Sequence, residues 1–189
     1  MADHKSPIKW GSAMEVAQEI EETLKEDCLR IQIAGSLRRR RPEVNDIEIL
    51  LVPRRAVLPD PEDMFPDPSD MAKRKIESLI ASGELERRLK INGTPTFGER
   101  TKLLVHTRSG IPVDIFACTQ ESWVNCLFSR TGGKTTNITI ASGAKRRGLA
   151  WKAFETGFMK QDGTMIEVKS EEGQSDCPIS RRTSGIRNN

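Results

Sequence analysis

Acidic residues at three positions of the sequence could together bind metal ions. Asp46 and Glu48 lie two positions apart in the apolar run Asp46–Val52, so a strand here would place both carboxylates on one face. Asp114 lies between Val113 and Ile115 in a second predicted strand. If the two strands are neighbours, the carboxylates converge and raise each other's pKa unless cations neutralise them. Carboxylate oxygens suit Mg²⁺ or Mn²⁺, and two such ions can activate a hydroxyl and stabilise a leaving pyrophosphate. Ordinary solvent-facing strand acids remain the alternative.

A small-residue break upstream of these acids could bind phosphate. Gly35 and Ser36 follow a predicted strand, and their backbone amides and hydroxyl could approach phosphate oxygens closely. The run Arg38–Arg41 comes directly afterwards, and Asp46 follows Ser36 by ten residues. A lone Gly-Ser pair is usually only a turn, and an arginine run can be a solvated face. The combination with the acids favours a phosphate-binding turn.

Composition limits the classes of protein that remain. The chain has 189 residues, of which 36% are hydrophobic and 30% charged, with a net charge of +3, which argues against wholesale disorder. It shows neither a secretory signal nor an apolar run long enough to cross a membrane, so we expect a soluble protein. Four scattered cysteines and two histidines argue against a zinc site. The segment 134–154 holds five basic residues and no acid, which is a surface suited to phosphates.

Hydrophobic spacing predicts the elements before the acidic strand. The pair Ser12 and Glu15 reads as a capping box that opens a helix, whose apolar face runs from Ala13 to Leu24. Leu29, Ile31 and Ile33 alternate with polar residues and predict a strand.

Further elements follow the acidic strand. The proline-rich stretch 56–70 predicts a mobile surface loop, and the polar end from Ser170 predicts a disordered tail. The predicted elements between them are a helix from Asp70 to Lys90 that is capped by Ser69 and interrupted or ended near Gly83, a hairpin of 101–107 with 111–118, a helix over 136–147 closed by Gly148, and a small hairpin within 158–168.

These motifs resemble the Gly-Ser signature of the DNA polymerase beta nucleotidyltransferase superfamily. The segments Ala34–Arg39 and Asp46–Ile49 have the spacing of X-family DNA polymerases, and Asp114 lies where that family places its third acid. Residues Arg130–Gly133 with Asn137 are similar to the family's Thr-Gly-Ser motif and its following Asn. The resemblance covers about Ala13 to Val168.

The resemblance implies a mixed α/β fold of the α+β class. We expect a nucleotidyltransferase palm at 1–128, with a central mixed sheet flanked by helices, a small C-terminal nucleotide- and DNA-facing subdomain at 129–169, and a tail at 170–189. It looks like a minimal form that lacks the family's N-terminal lyase domain, as in some viral and bacterial relatives. The expected location is therefore the cytoplasm of a bacterium or of a virus-infected cell.

The resemblance also implies a role for each site residue. Asp46, Glu48 and Asp114 would be catalytic and would bind two Mg²⁺ ions, with Mn²⁺ possible. The residues implied in nucleotide binding are Gly35, Ser36, Arg39, Thr131, Gly132 and Asn137. Lys102, on the hairpin, could reach the template backbone or be an exposed strand lysine, while Lys145, Arg146 and Arg147 would contact DNA phosphates. Expected partners are gapped or primer-template DNA and a dNTP, without a membrane, and the protein would act as a monomer.

Two departures from the family pattern keep the substrate open. Glu48 stands where the family usually has a second Asp, and Ser129-Arg130 replaces a Tyr-Phe pair that lines the sugar pocket in many members. The first expectation is a template-directed DNA polymerase that fills short gaps in DNA repair. The alternatives are an untemplated nucleotidyltransferase acting on an RNA end, a protein or a small molecule, and a binding module with a decayed palm.

Overall fold

The computed structural model describes residues 7–59, 67–89 and 93–169 of the chain. The chain divides into two compact units between Cys118 and Thr119. Sequence reasoning expected the palm to end at residue 128, and the segment 119–128 belongs instead to the second unit. Each unit is described by itself below.

The first unit combines one main sheet with three α-helices. Its elements in chain order are β1 (Ile8–Lys9), α1 (Trp10–Leu24), a 3₁₀ turn (Lys25–Asp27), β2 (Cys28–Ile33), α2 (Gly35–Arg38), β3 (Glu43–Val44), β4 (Ile47–Pro53), β5 (Arg55–Ala56), β6 (Ser69–Asp70), α3 (Met71–Ala81), β7 (Leu85–Arg87), β8 (Thr101–His106) and β9 (Ile111–Ala117).

The main sheet has five strands in the order β2-β4-β9-β8-β7. Strands β4 and β9 are parallel, whereas the other neighbouring strands are antiparallel. The predicted mixed sheet is therefore confirmed, as is the predicted hairpin, which is β8 with β9. Two short antiparallel pairs, β1 with β3 and β5 with β6, complete this unit.

The core lies between one face of this sheet and helices α1 and α3. Alternate residues of β4 and β9 enter it, as periodicity predicts, and Ile47, Ile49 and Val113 are all fully buried. Helix α1 contributes Ala13, Ala17, Ile20 and Leu24, and α3 contributes Ala72, Ile76 and Leu79. The residues of β4 and β9 that alternate with these core residues, Glu48 and Asp114 among them, therefore lie on the other face of the sheet.

One local prediction at the start of the chain, the first residue of α1, is wrong, whereas the strand predicted from Leu29, Ile31 and Ile33 is confirmed as β2. Helix α1 begins at Trp10, not Ser12, and its N-cap Lys9 makes no side-chain capping bond. Tertiary contacts start it instead, because Trp10 donates its backbone N–H to Pro42 O at 3.0 Å. In β2 the register shifts between Cys28 and Arg30, so Cys28 is buried and Leu29 is 55% exposed.

Helix α3 is shorter than the predicted 70–90. Its N-cap is Asp70, one residue after the predicted Ser69, and the Asp70 Oδ1 accepts a bond from Lys73 N at 2.8 Å. The helix ends at Ala81, ahead of Gly83 with its φ of +81°, as the predicted stop near this glycine implies. The chain then forms strand β7 in place of further helix.

The second unit contains α4 (Trp123–Thr131), α5 (Lys134–Arg146) and a small antiparallel sheet of β10 (Ala150–Trp151), β11 (Gly157–Met159) and β12 (Met165–Glu167). The predicted hairpin within 158–168 and the helix closed by Gly148 are confirmed, while α4 was not predicted. Asn125 of α4 is 1% exposed and donates to Lys152 O and Glu155 O at 2.8 and 2.9 Å. These bonds explain why α4 belongs to this unit.

The predicted tail at 170–189 and the middle of the predicted loop, 60–66, lie outside the described residues. Within the parts of the chain that are described, no helix is both long and apolar enough to cross a membrane.

Candidate active site

Two of the predicted catalytic acids are neighbours across the parallel strands. Glu48 of β4 is in register with Asp114 of β9, and Asp46 lies immediately before β4. The two acidic strands are thus neighbours, which is the condition for the predicted convergence of these acids. All three residues are partly buried. Their backbone positions bring three carboxylates to one end of β4 and one face of the sheet.

The Gly-Ser turn lies directly against this pair. Ala34 donates its backbone N–H to Glu48 O at 2.8 Å, which ties the start of α2 to β4. Gly35 has a φ of +61°, and a Cβ at this position would overlap the Glu48 carboxylate and lie 2.9 Å from its Cδ. Only glycine satisfies both the backbone and the close approach. Ser36 follows half-buried in α2, and Arg39 follows α2 exposed to solvent.

Arg88 belongs to this site, although sequence reasoning missed it. Its Nη2 lies 2.6 Å from Asp114 Oδ1, and the two side chains are 28% and 14% exposed. The backbone N–H of Arg88 donates to Leu103 O at 2.9 Å, and Leu103 is the residue of β8 opposite Asp114. The added strand β7 therefore places the guanidinium over β8 and onto Asp114. No spacing signal in the sequence links residues 88 and 114.

The environment of Asp46 opposes its ionisation. Burial raises the pKa of the Asp46 carboxyl above its ordinary value, while the positive charge of Arg88 acts in the opposite direction. Since Arg88 acts electrostatically on Asp46 and contacts Asp114, one cation compensates part of the charge of both carboxylates.

The donor chemistry fits a divalent cation, whereas the side chains are not gathered into a complete site. Glu48 and Asp114 supply oxygen ligands from adjacent strands at one register level, with Asp46 next to them. Across residues 7–59, 67–89 and 93–169, no three His, Cys, Asp or Glu side chains meet closely enough to hold an ion. The strand register brings the predicted acids to one end of β4, and Arg88 contacts Asp114 there.

Lys102 is not the exposed strand lysine that the sequence suggested. It points to the core side of β8 and is 2% exposed, and its Nζ donates to Glu99 O at 3.1 Å. The Nζ also lies 5.9 Å from the Phe97 ring centroid. Burial lowers the pKa of the Lys102 ammonium. A lysine buried to this degree does not reach a template backbone, so we do not retain it among the candidate DNA contacts.

In the second unit, α4 and α5 bring together the motif residues Thr131, Gly132 and Asn137. Thr131 ends α4, and Asn137 in α5 donates its Nδ2 to Ser129 O at 2.8 Å. A Cβ on Gly132 would overlap Asn137 Oδ1 and lie 3.1 Å from Phe128 O, so a glycine is needed for this packing. Asn137 Oδ1 is buried without a hydrogen-bond partner among the described residues. Such an acceptor can take a hydrogen bond from a water molecule or a ligand.

The predicted DNA contacts of the second unit are all exposed. Lys145, Arg146 and Arg147 lie at the end of α5, where positive charge also favours the helix dipole. Arg130 belongs to the Ser129-Arg130 pair that stands in place of the family's Tyr-Phe pair. Its guanidinium lies 4.7 Å from the Phe154 ring centroid.

Two tryptophans of the second unit are held by contacts within it and are not free surfaces for base stacking. Trp123 is 3% exposed, which makes it a core residue. Trp151 donates its Nε1 to Asn125 Oδ1 at 2.8 Å and makes an edge contact with Phe128 at 6.2 Å between ring centroids.

Comparison with solved structures identifies the fold. A ternary P/T complex of Leishmania infantum polymerase beta matches 92% of this chain and 73% of its own, with a TM-score of 0.66 and 18% identity. A ternary gap complex of the same enzyme matches 95% of this chain and 71% of its own, with a TM-score of 0.68 and 17% identity. No protein-family model and no curated protein matches the sequence. The chain has a fold similar to that of polymerase beta, and its mixed sheet flanked by helices confirms the predicted α+β fold class.

Proposed function

We propose that this protein is a template-directed DNA polymerase of the X family, which adds a dNMP from a dNTP to a primer 3′-OH and fills short gaps during DNA repair. The observation that carries the proposal is the register of Glu48 with Asp114 beside the Gly35 turn, in a chain with a polymerase beta-like fold. The Leishmania enzyme is named as a polymerase beta and was solved with a gap complex, which supports DNA as the partner here.

The carboxylates Asp46, Glu48 and Asp114 would hold two Mg²⁺ ions, with Mn²⁺ as a substitute. When bound, these ions supply electrostatic stabilisation of the attacking and leaving oxygens. Asp114 would lie closest to the primer 3′-OH. The new bond would form between the 3′ oxygen and the α-phosphorus as the bond from that phosphorus to the bridging oxygen of the leaving pyrophosphate breaks, and the 3′-hydroxyl proton would be lost to solvent. Arg88 must share Asp114 with these partners, because it contacts that carboxylate here.

The remaining motif residues would position the nucleotide. Gly35, Ser36 and Arg39 would bind the β- and γ-phosphates through backbone amides, hydroxyl and guanidinium. Thr131, Gly132 and Asn137 would contact the sugar and base edge, and the orphaned Oδ1 of Asn137 supports a ligand there. Lys145, Arg146 and Arg147 would bind DNA phosphates. Catalysis would therefore depend on positioning and electrostatics, and the protein would act as a monomer.

A second candidate is an untemplated nucleotidyltransferase. It is favoured by Arg130, which stacks on Phe154 at the position where the resembling family lines its sugar pocket with aromatic residues. A changed pocket would alter the choice between deoxy- and ribonucleotides, and with it the acceptor.

Primer extension on a one-nucleotide gapped duplex tests both candidates. Each dNTP is offered singly with Mg²⁺ to the wild type, to Asp114→Ala and to the surface control Arg108→Ala. Incorporation of only the complementary nucleotide, lost in Asp114→Ala and kept in Arg108→Ala, is expected. DNA affinity should be retained in Asp114→Ala, since phosphate contacts dominate it.

Two other results would contradict the first candidate. Incorporation regardless of the template base would support the untemplated enzyme instead. Equal incorporation by the wild type and Asp114→Ala would remove the carboxylates from the mechanism and overturn both candidates.

A further inference from the structure

The turn after α2 keeps an arginine in a backbone conformation that suits glycine. Arg40 has a φ of +54° and is, within residues 7–59, 67–89 and 93–169, the only non-glycine residue with a positive φ. Two hydrogen bonds close this turn, from Arg40 N to Leu37 O at 3.0 Å and from Arg41 N to Ser36 O at 3.2 Å. A left-handed conformation costs free energy for any side chain with a Cβ, and such strain concentrates at functional sites. The backbone therefore gives no reason for an arginine here.

An open surface cavity of about 480 Å³ lies beside this strained residue, and the described residues that line it are Trp10, Arg40 and Pro42. Trp10 is held in place by two bonds, because its Nε1 donates to Leu37 O at 3.0 Å and its backbone N–H to Pro42 O at 3.0 Å. The indole and the pyrrolidine ring form apolar walls, and the guanidinium adds a fixed positive charge. An open depression of this kind can receive a single exposed group of a larger ligand and does not enclose a whole small molecule.

The charge of the turn selects the class of ligand. Four consecutive arginines, Arg38–Arg41, make this the most concentrated positive charge in the sequence. A polyanion complements this charge, and a neutral apolar ligand does not. An immobile aromatic ring beside guanidinium groups is the combination that binds a base by stacking and its phosphate by charge in single-stranded nucleic acid.

We propose that Trp10, Arg40 and Pro42 form a binding site for one nucleotide of a single-stranded DNA segment, with the base against the indole and the phosphate at the guanidinium. This site goes beyond the proposed polymerase function, since its lining contains none of the three carboxylates and none of the residues proposed to hold the dNTP, although Arg39 of the same arginine run is among the latter. It gives the protein a contact with unpaired DNA, such as a template overhang.

The strain at Arg40 provides an unusually clear test. In Arg40→Gly the backbone loses its strained side chain, so the urea unfolding midpoint should rise. The same change removes the phosphate contact, so the affinity for fluorescein-labelled oligothymidylate, measured by anisotropy without divalent cations or dNTP, should fall about tenfold. If Arg40 had only a structural role, its replacement by glycine would not both raise the unfolding midpoint and lower the affinity for the oligonucleotide.

Neighbouring variants separate the site from general positive charge. Arg41→Ala removes the same charge one position outside the cavity lining and should weaken binding less than Arg40→Gly does. Trp10→Phe should keep most of the affinity, whereas Trp10→Leu should lose it, since the leucine side chain offers no ring for stacking. Arg108→Ala serves as a distant control.

Three results would overturn the proposal. The first is unchanged oligothymidylate affinity in Arg40→Gly, and the second is an equal loss in Arg41→Ala. The third is an equal loss of affinity for a blunt duplex, which would indicate charge without base stacking. None of these measurements involves nucleotide incorporation, so failure of this site is distinguishable from failure of the proposed polymerase function.

Discussion

At the scale of single residues, the candidate site contains a cation, Arg88, that acts on two of its three acids. Arg88 contacts Asp114 at 2.6 Å in a partly buried position, and its charge also acts on Asp46. Arg108 makes a contact of the same length with Glu19, but those side chains are 73% and 49% exposed. Burial therefore distinguishes these two ion pairs, whose shortest N–O distances are equal.

We expect Arg88→Met to lower the free energy of unfolding by about 2 kcal/mol, since it leaves the half-buried Asp114 without this cation. The exposed pair should matter less, so Arg108→Met should cost less than about 1 kcal/mol. Urea titration of both variants without divalent cations measures the difference. Equal costs would mean that burial does not strengthen the Arg88 pair.

Gly35 offers a test of its close approach to Glu48. Gly35→Ala adds a Cβ into the Glu48 carboxylate at a φ of +61°, whereas Gly110→Ala meets nothing within 4 Å at a φ of +69°. The control, Gly110→Ala, should lower the free energy of unfolding only by its backbone strain, about 1–2 kcal/mol. Gly35→Ala should cost at least about 1 kcal/mol more and should also abolish primer extension, because Glu48 is displaced. Similar unfolding free energies would show that Glu48 moves aside freely.

The raised pKa of Asp46 predicts a pH dependence of stability. When a carboxyl has a higher pKa in the folded state than in the unfolded state, the protein loses stability as the pH rises through the folded-state pKa. Asp46→Asn removes this loss. Without divalent cations, Asp46→Asn should have a higher unfolding midpoint than the wild type at about pH 7. The difference between the two midpoints should narrow towards about pH 4, close to the pKa of an aspartate in the unfolded state. A gap that is constant with pH would exclude ionisation of Asp46 as its cause.

At the scale of elements, tertiary contacts decide where helices and strands begin and end. Helix α1 starts where Trp10 bonds to Pro42 O rather than at the capping-box serine. Strand β7 contains Leu85, Glu86 and Arg87, none of which is β-branched or aromatic, and it forms through its pairing with β8. Helix α3, in contrast, has a side-chain cap of its own in Asp70.

That cap can be tested on its own. Asp70→Ala removes the acceptor for Lys73 N and should destabilise the protein by about 1 kcal/mol. Asp70→Asn keeps a side-chain oxygen that caps almost as well, so its cost should be a few tenths of a kcal/mol. Thermal unfolding of both variants checks this. An equal loss in both would assign the effect to the charge of Asp70 rather than to the cap.

At the scale of the whole molecule, a net charge of only +3 conceals separate basic segments in both units. The arginine run 38–41 belongs to the first unit, and Lys145, Arg146 and Arg147 belong to the second. Sequence alone located these segments, since charge runs need no fold to be recognised.

The proposed DNA contacts should make binding steeply dependent on salt. Each lysine or arginine that neutralises a phosphate contributes about 0.9 to the slope of log K against log salt. A variant with Lys145, Arg146 and Arg147 all replaced by Ala should bind gapped duplex more weakly, with a slope reduced by up to about 2.7. Arg108→Ala should leave the slope unchanged. An unchanged slope in the triple variant would remove these residues from the DNA-binding surface.

The sequence by itself determined the acidic strands, the Gly-Ser turn, the central hairpin and the mixed α+β fold class. Each of these is encoded locally, because alternation of apolar and acidic residues specifies a strand face, and a glycine beside a small hydroxyl specifies a turn. The resemblance to the polymerase beta superfamily used the same local spacing.

Only the tertiary structure decided which side chains meet. It paired Glu48 with Asp114, brought Arg88 onto Asp114 through β7, buried Lys102 and placed Trp10 beside the strained Arg40. These contacts join residues far apart in the chain, and their free energy comes from burial and from partners that no local pattern contains. Strand β7 and the charge balance of the site therefore appear only once the sheet has assembled.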